Sequence, residues 1–201
     1  MDLVVRLDTA EVLMLTDSPP RERLSPPSRR ERRAERRRLR QLDALSARLA
    51  ELHAIRALLE HAEDVIHAGW IQGAWFSVAS EGGERVVPAY DVRSATDRPV
   101  VGACLVGAVV HAAGGPAAVR SQLVQRTLDL LWHALREDPE RPVRWCPGPR
   151  LRMMRVLELT HWNDAPQRTR EDVVNLLQAG RGTVEVQRQM CQDQQVVLSV
   201  P

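Results

Sequence analysis

Leu42, Leu45, Leu49, Leu52, Ile55 and Leu59 recur at steps of three and four residues. That spacing places them on one face of an α-helix, because a strand alternates with a period of two. Ser28 is a good N-cap for this helix, and Gly69 supplies the residue that ends it after Ala68. The predicted helix is about 40 residues and ~60 Å long. Its front, Arg29 to Arg40, holds eight Arg, two Glu, one Ala and one Leu, with no apolar face of its own. Like charges one turn apart repel, so this front half is expected to fray. The leucine seam spans about two and a half heptads, short for a coiled coil. Packing against its own domain is the first expectation, and a homodimer through this helix is the second.

Around this helix the chain divides into segments. Residues 1–15 carry two apolar bursts, Leu3-Val4-Val5 and Val12-Leu13-Met14-Leu15, compatible with a weak hairpin. Residues 16–28 read as a linker, since Pro19-Pro20 and Pro26-Pro27 forbid a helix. Trp70 to Val78 and Arg85 to Tyr90 read as short strands around the turn Glu81-Gly82-Gly83-Glu84, and residues 91–99 as a polar loop. Val101 to His111 reads as a buried helix rich in small residues, and Gly114-Gly115-Pro116 ends it and starts another, with Val119, Leu123, Thr127, Leu130, Leu131 and Leu135 on its apolar face. Four prolines between 139 and 149 make a loop around Trp145-Cys146, Leu151 to Thr160 can form one more helix, and His161 to Pro166 reads as a loop. Thr169 and Asp172 are spaced as a capping box for a helix expected to end at Gly180, and the remainder reads as an extended tail. The fold class is therefore mainly α: a compact helical domain with a small β hairpin near residues 71–90, preceded by a long helix with a basic front half. The divisions are 1–28, an N-terminal extension and linker; 29–52, the arginine-rich and leucine-seam helix; 53–181, the helical domain; and 182–201, the tail.

Charge is unevenly distributed. All 28 basic residues are arginine, and there is no lysine. Arginine codons are GC-rich and lysine codons AT-rich, which points to a GC-rich genome such as that of an actinobacterium or its phage. The same bias lowers the weight of arginine content as a binding signal. Residues 21–40 carry ten Arg and three Glu, so the rest of a chain of net charge +2 is mildly acidic. The three cysteines are widely spaced and form no CxxC pair, so neither a disulfide framework nor a structural zinc site is expected. No secretory leader is evident at Met1-Asp2-Leu3, and the longest apolar run, Val100 to Val110, is too short to span a bilayer. A reducing cytoplasm is the expected compartment.

Three pieces of sequence carry a resemblance. They are Gly69-Trp70-Ile71-Gln72-Gly73-Ala74, Gly102-Ala103-Cys104-Leu105-Val106-Gly107-Ala108, and Trp162-Asn163-Asp164 followed by Arg168-Thr169. In this order they resemble a small domain family of unknown function found in actinobacteria and their phages. The resemblance covers roughly residues 53–181, leaving the arginine arm and the tail outside it. It implies a helical single domain and carries no activity, cofactor or substrate.

Three groups are candidates for function. Arg29, Arg30, Arg32, Arg33, Arg36, Arg37, Arg38 and Arg40 can neutralise several phosphates of DNA, RNA or a nucleoprotein, or meet an anionic membrane surface. No aromatic lies among them to stack bases, and no helix-turn-helix outline follows. Cys104, His161 and Asn163 have the order of a cysteine nucleophile, base and orienter, with Asp164 as the alternative orienter. The competing reading makes Cys104 a small buried apolar residue. Trp70, Trp75, Trp162, Asp164 and Arg168 could line a pocket, with Arg168 pairing with Asp164; turn and cap geometry explains the same residues structurally. His53 and His61 share a helix face and His67 does not, so no metal is expected, and no cofactor. Phosphate-loop, dinucleotide-binding, zincin and nucleophile-elbow motifs are absent. The expected function is a non-enzymatic binding or regulatory protein using the arginine arm. A protein–protein adaptor working through the Leu42–Leu59 helix is the nearest alternative, and a cysteine-dependent enzyme comes third.

Overall fold

A computed structural model describes residues 28–88, 91, 98–138 and 140–199. The hairpin expected at 1–15 and the linker before Ser28 lie outside the described residues. The elements are α1 (Arg29–Ala68), β1 (Phe76–Ser80), β2 (Gly83–Val87), β3 (Val100–Ala103), α2 (Leu105–Ala112), a 3-10 turn (Pro116–Arg120), α3 (Gln122–Arg136), α4 (Pro149–Asn163) and α5 (Arg170–Ser199). The mainly helical class and the small hairpin stand as expected.

The centre is α2. Every residue from Leu105 to Val110 is buried, and α1, α3 and α4 all pack on it. Such a helix must be apolar on every side, and this one is. The rear of α1 contributes Leu52, Ile55, Leu59, Ala62 and Ile66, all fully buried; Leu130, Leu131, Leu159, Leu177 and Val184 come from α3, α4 and α5. The sheet is antiparallel with order β2-β1-β3, and Phe76 and Val78 of β1 reach the core.

Three expectations need correction. Val101 to His111 is not one helix: Val100–Ala103 pairs with β1 as a third strand, and only then does the helix begin. The change occurs at Cys104, whose backbone is extended and whose Sγ accepts from the Gly107 amide. The helix after Thr169 does not stop at Gly180 but runs to Ser199, so residues 182–199 are helical where an extended tail was expected. A Cβ at Gly180 would lie 3.0 Å from Leu131 and 3.4 Å from Leu59. That glycine lets three helices approach closely; it does not terminate one. Finally, α4 continues through His161 to Asn163 where a loop was expected.

α1 and α5 form an antiparallel pair. Arg56 meets Glu185, Ser46 accepts from Gln195, and Arg38 meets the carbonyls of Leu198 and Ser199. Leu42, Leu45 and Leu49 are half-buried in this pairing. The leucine seam thus packs within its own chain. The arm is rooted in the body at Trp145, which stacks under the guanidinium groups of Arg48 and Arg126 while Glu51 pairs with both.

Candidate functional site

Ser28 begins α1 with a complete capping box: its hydroxyl accepts from the Glu31 amide, and the Glu31 carboxylate accepts from the Ser28 amide. The same hydrogen bonds hold the Glu31 carboxyl below its ordinary value. The helix is continuous from Arg29, contrary to the frayed front half expected from charge repulsion. A second fastening helps. Arg38 donates to the last carbonyls of α5, where the negative end of that helix dipole lies.

α5 ends level with Arg38, so Arg29 to Arg37 extend past it, by nine residues or ~14 Å. At 100° per residue, Arg29, Arg30, Arg33, Arg36, Arg37 and Arg40 fall within an arc of about 120°. Glu31, Glu35 and Arg38 fall on the other side, toward the leucine seam. Among the described residues these six arginines have no carboxylate partner, and all six are exposed. Arg32 stands at the edge of the stripe. Counting arginines conceals this stripe, but helical projection of the same sequence reveals it.

The Trp70 region is built differently. Asn163 is fully buried, and its Oδ1 accepts from Trp70 Nε1 at 3.0 Å and from the Leu105 amide at 3.1 Å. Its Nδ2 donates to the Ile71 carbonyl and to Asp164 Oδ1. Gln72 donates to the carbonyls of Asn163 and Ala165, and the Gly73 amide donates to Asp164. This polar knot joins the loop after α1, the start of α2 and the end of α4. Close backbone approach adds to it. A Cβ at Gly69 would sit 2.1 Å from the Val101 carbonyl oxygen, and one at Gly107 would sit 2.0 Å from that of Trp75.

The five-residue pocket is not assembled. Trp70 and Asp164 belong to the knot, where Asp164 is engaged by the Gly73 amide and by Asn163. Arg168 stacks 4.0 Å over Trp162 and its ion-pair partner is Asp172, where Asp164 was expected. Trp75 lies elsewhere, in a groove beside α4. Thr169 and Asp172 do form the expected capping box.

Cys104, His161 and Asn163 do not form a catalytic group. Cys104 is 1% exposed, and burial pushes its thiol up to about 12, so little thiolate exists near neutrality. His161 is exposed on α4, two residues and about 200° around the helix from buried Asn163. Asn163 reaches the Leu105 amide beside Cys104 and is spent on the knot. All three cysteines are free thiols. Among the described residues no three His, Cys, Asp or Glu side chains gather as a metal site, and no helix is long and apolar enough to cross a membrane.

Residues 50–182 match the model of a family of unknown function, DUF6197. The chain belongs to that family. No curated protein and no solved structure matches it. The DUF6197 match includes the whole knot, with Gly69, Trp70, Gln72, Cys104, Gly107, Asn163 and Asp164 inside its limits, and excludes the arginine stripe. At the knot, both ends of the Asn163 amide, the Trp70 indole N–H and the Gln72 amide nitrogen are bonded to other parts of the same fold.

Proposed function

We propose that the protein is a non-enzymatic binding protein that docks on nucleic acid, free or within a nucleoprotein, through the arginine face of α1. The observation that carries this reading is the stripe of six arginines without carboxylate partners on a capped helix held clear of α5. Along the stripe, Arg29 and Arg40 are separated by ~17 Å, enough for several successive phosphates. The absence of aromatic residues between Arg29 and Arg40 favours contact with the backbone over base stacking. Binding of this kind is independent of sequence. The all-arginine basic content fits an origin in a GC-rich actinobacterium or its phage.

The test is anisotropy of labelled duplex DNA and of RNA with the full chain, and with a variant carrying Gln at the six stripe positions. Binding at low salt that the variant loses supports the reading. Equal binding by both proteins refutes it.

A second reading, association through α1, draws on Leu39, Val196 and Val197, which are exposed on the flank of the arm. Leu52, Ile55 and Leu59 are unavailable to it, being fully buried in their own core. A dimer that survives high salt and dissociates on Val197→Glu would favour this second reading.

A further inference from the structure

Of the eight exposed large apolar residues among those described, four lie on two turns of α4: Leu151, Met153, Met154 and Leu157. Leu157 is one turn from both Met153 and Met154, so these three form a continuous outer face. That face borders a groove of about 650 Å³ between α3 and α4, to whose lining the 3-10 turn adds Val119 and Arg120. Trp75, Val119, Leu128 and Val156 line its apolar interior, and Arg120 and Arg152 stand at its polar edge. Met and Trp adapt to varied apolar shapes, which makes them frequent at binding surfaces.

Charge determines what fits. The DUF6197 portion is nearly balanced, with 15 Arg and 16 acidic residues. Yet no carboxylate lines the groove. The stretch Pro149–Leu157 carries Arg150, Arg152 and Arg155 and no acid, and α4 has no acidic residue in its first turn. Arg155 is buried against Asp129 and Arg152 lies 3.8 Å from the same carboxylate, whereas Arg120 and Arg150 are exposed and have no ion-pair partner among the described residues. Arginines at a helix N-terminus oppose the dipole, and a negative group placed there would relieve both. A second copy would set the same arginines against each other at a two-fold axis. A phosphate backbone would satisfy the rim but leave Met153, Met154 and Leu157 in water.

We propose that the groove and outer face of α4 are a docking site for an acidic amphipathic helix of a protein partner. Its apolar side lies along Met153, Leu157 and Trp75, and its carboxylates meet Arg120 and Arg150. This site lies within the family domain and is independent of the arginine stripe.

The test uses the full chain and labelled amphipathic peptides of about 18 residues, ~27 Å as helices, with Leu, Met or Trp on the apolar side. One set is flanked by Glu, the other by Lys. Binding of the Glu-flanked set at least about tenfold tighter than the Lys-flanked set is expected. Met153→Glu and Leu157→Glu, both at exposed positions, should weaken it about tenfold or more, and Arg120→Glu with Arg150→Glu should erase the preference. Equal binding of the two sets, no binding of either, or binding indifferent to Leu157→Glu would overturn the proposal. So would duplex DNA displacing the peptide, which would make the groove a polyanion site. A wild-type dimer that Leu157→Glu dissociates would also overturn it, by assigning the face to a second copy.

Discussion

The body and the arm of this protein use polar groups in opposite ways. In the body, buried polar side chains are mostly spent within the fold, with the ring nitrogens of His133 and the Nε atoms of Arg152 and Arg155 as the buried exceptions. Asn163 serves Trp70, Ile71 and Leu105. Asp129 accepts from the Cys146 amide and from Arg155, whose guanidinium also stacks on Trp132. In the arm, six arginines stand in water with no carboxylate partner among the described residues. Groups spent internally specify a structure, and groups left open can serve a partner. The family boundary near residue 50 separates the Asn163 knot from the arginine stripe.

The contrast can be broken by mutation, and the largest effects belong to the body. Asp129→Ala leaves Arg155 buried without its charge partner. Breaking a buried pair from one side costs about 3–5 kcal/mol, so the denaturation midpoint should fall steeply. Asn163→Ala strands the Trp70 indole N–H and the Leu105 amide in the interior. At about 1–3 kcal/mol for each of these two unsatisfied groups, the expected loss is about 2–6 kcal/mol by guanidinium unfolding. A loss below ~1 kcal/mol in either variant would mean that these contacts do not hold the body together.

The arm should respond locally. Ser28→Ala removes one half of the capping box and costs about 1 kcal/mol of helix stability. Hydrogen exchange should speed up in the first turns of α1 and stay unchanged in α2. Acid acts on the same cap. Glu31 has a depressed folded value, so its contribution is fully present above the ordinary carboxylate range and is lost as pH falls through the lowered one. Asp172 is depressed by Thr169 in the same way, so the start of α5 should loosen over the same acidic range. The smallest effect is chemical. Cys104 should resist alkylation in the native protein, and half-buried Cys191 should react first.

Much of the helical body was legible in the sequence, because its signals are local. The step of three and four from Leu42 to Leu59, the Ser28 cap and the Gly69 stop located α1 to its ends. The box at Thr169 and Asp172 located the start of α5. What failed depended on distant partners. Val100–Ala103 is a strand because β1 is beside it, and its small residues looked helical without that neighbour. Gly180 reads as a stop until Leu59 and Leu131 are seen against it. The motifs around Trp70, Cys104 and Asn163 were visible as an ordered set, but their convergence on one amide side chain was not. The arginine stripe was within reach of the sequence, since it needs only the helical angle.

The most direct test of the open arginine arm is the salt dependence of DNA binding by the full chain. With three to five phosphates met by the stripe, the slope of log K against log salt should be about −2.7 to −4.5, and Gln at the six stripe positions should bring it toward zero. A slope unchanged by that replacement, or no binding at low ionic strength, would contradict the account.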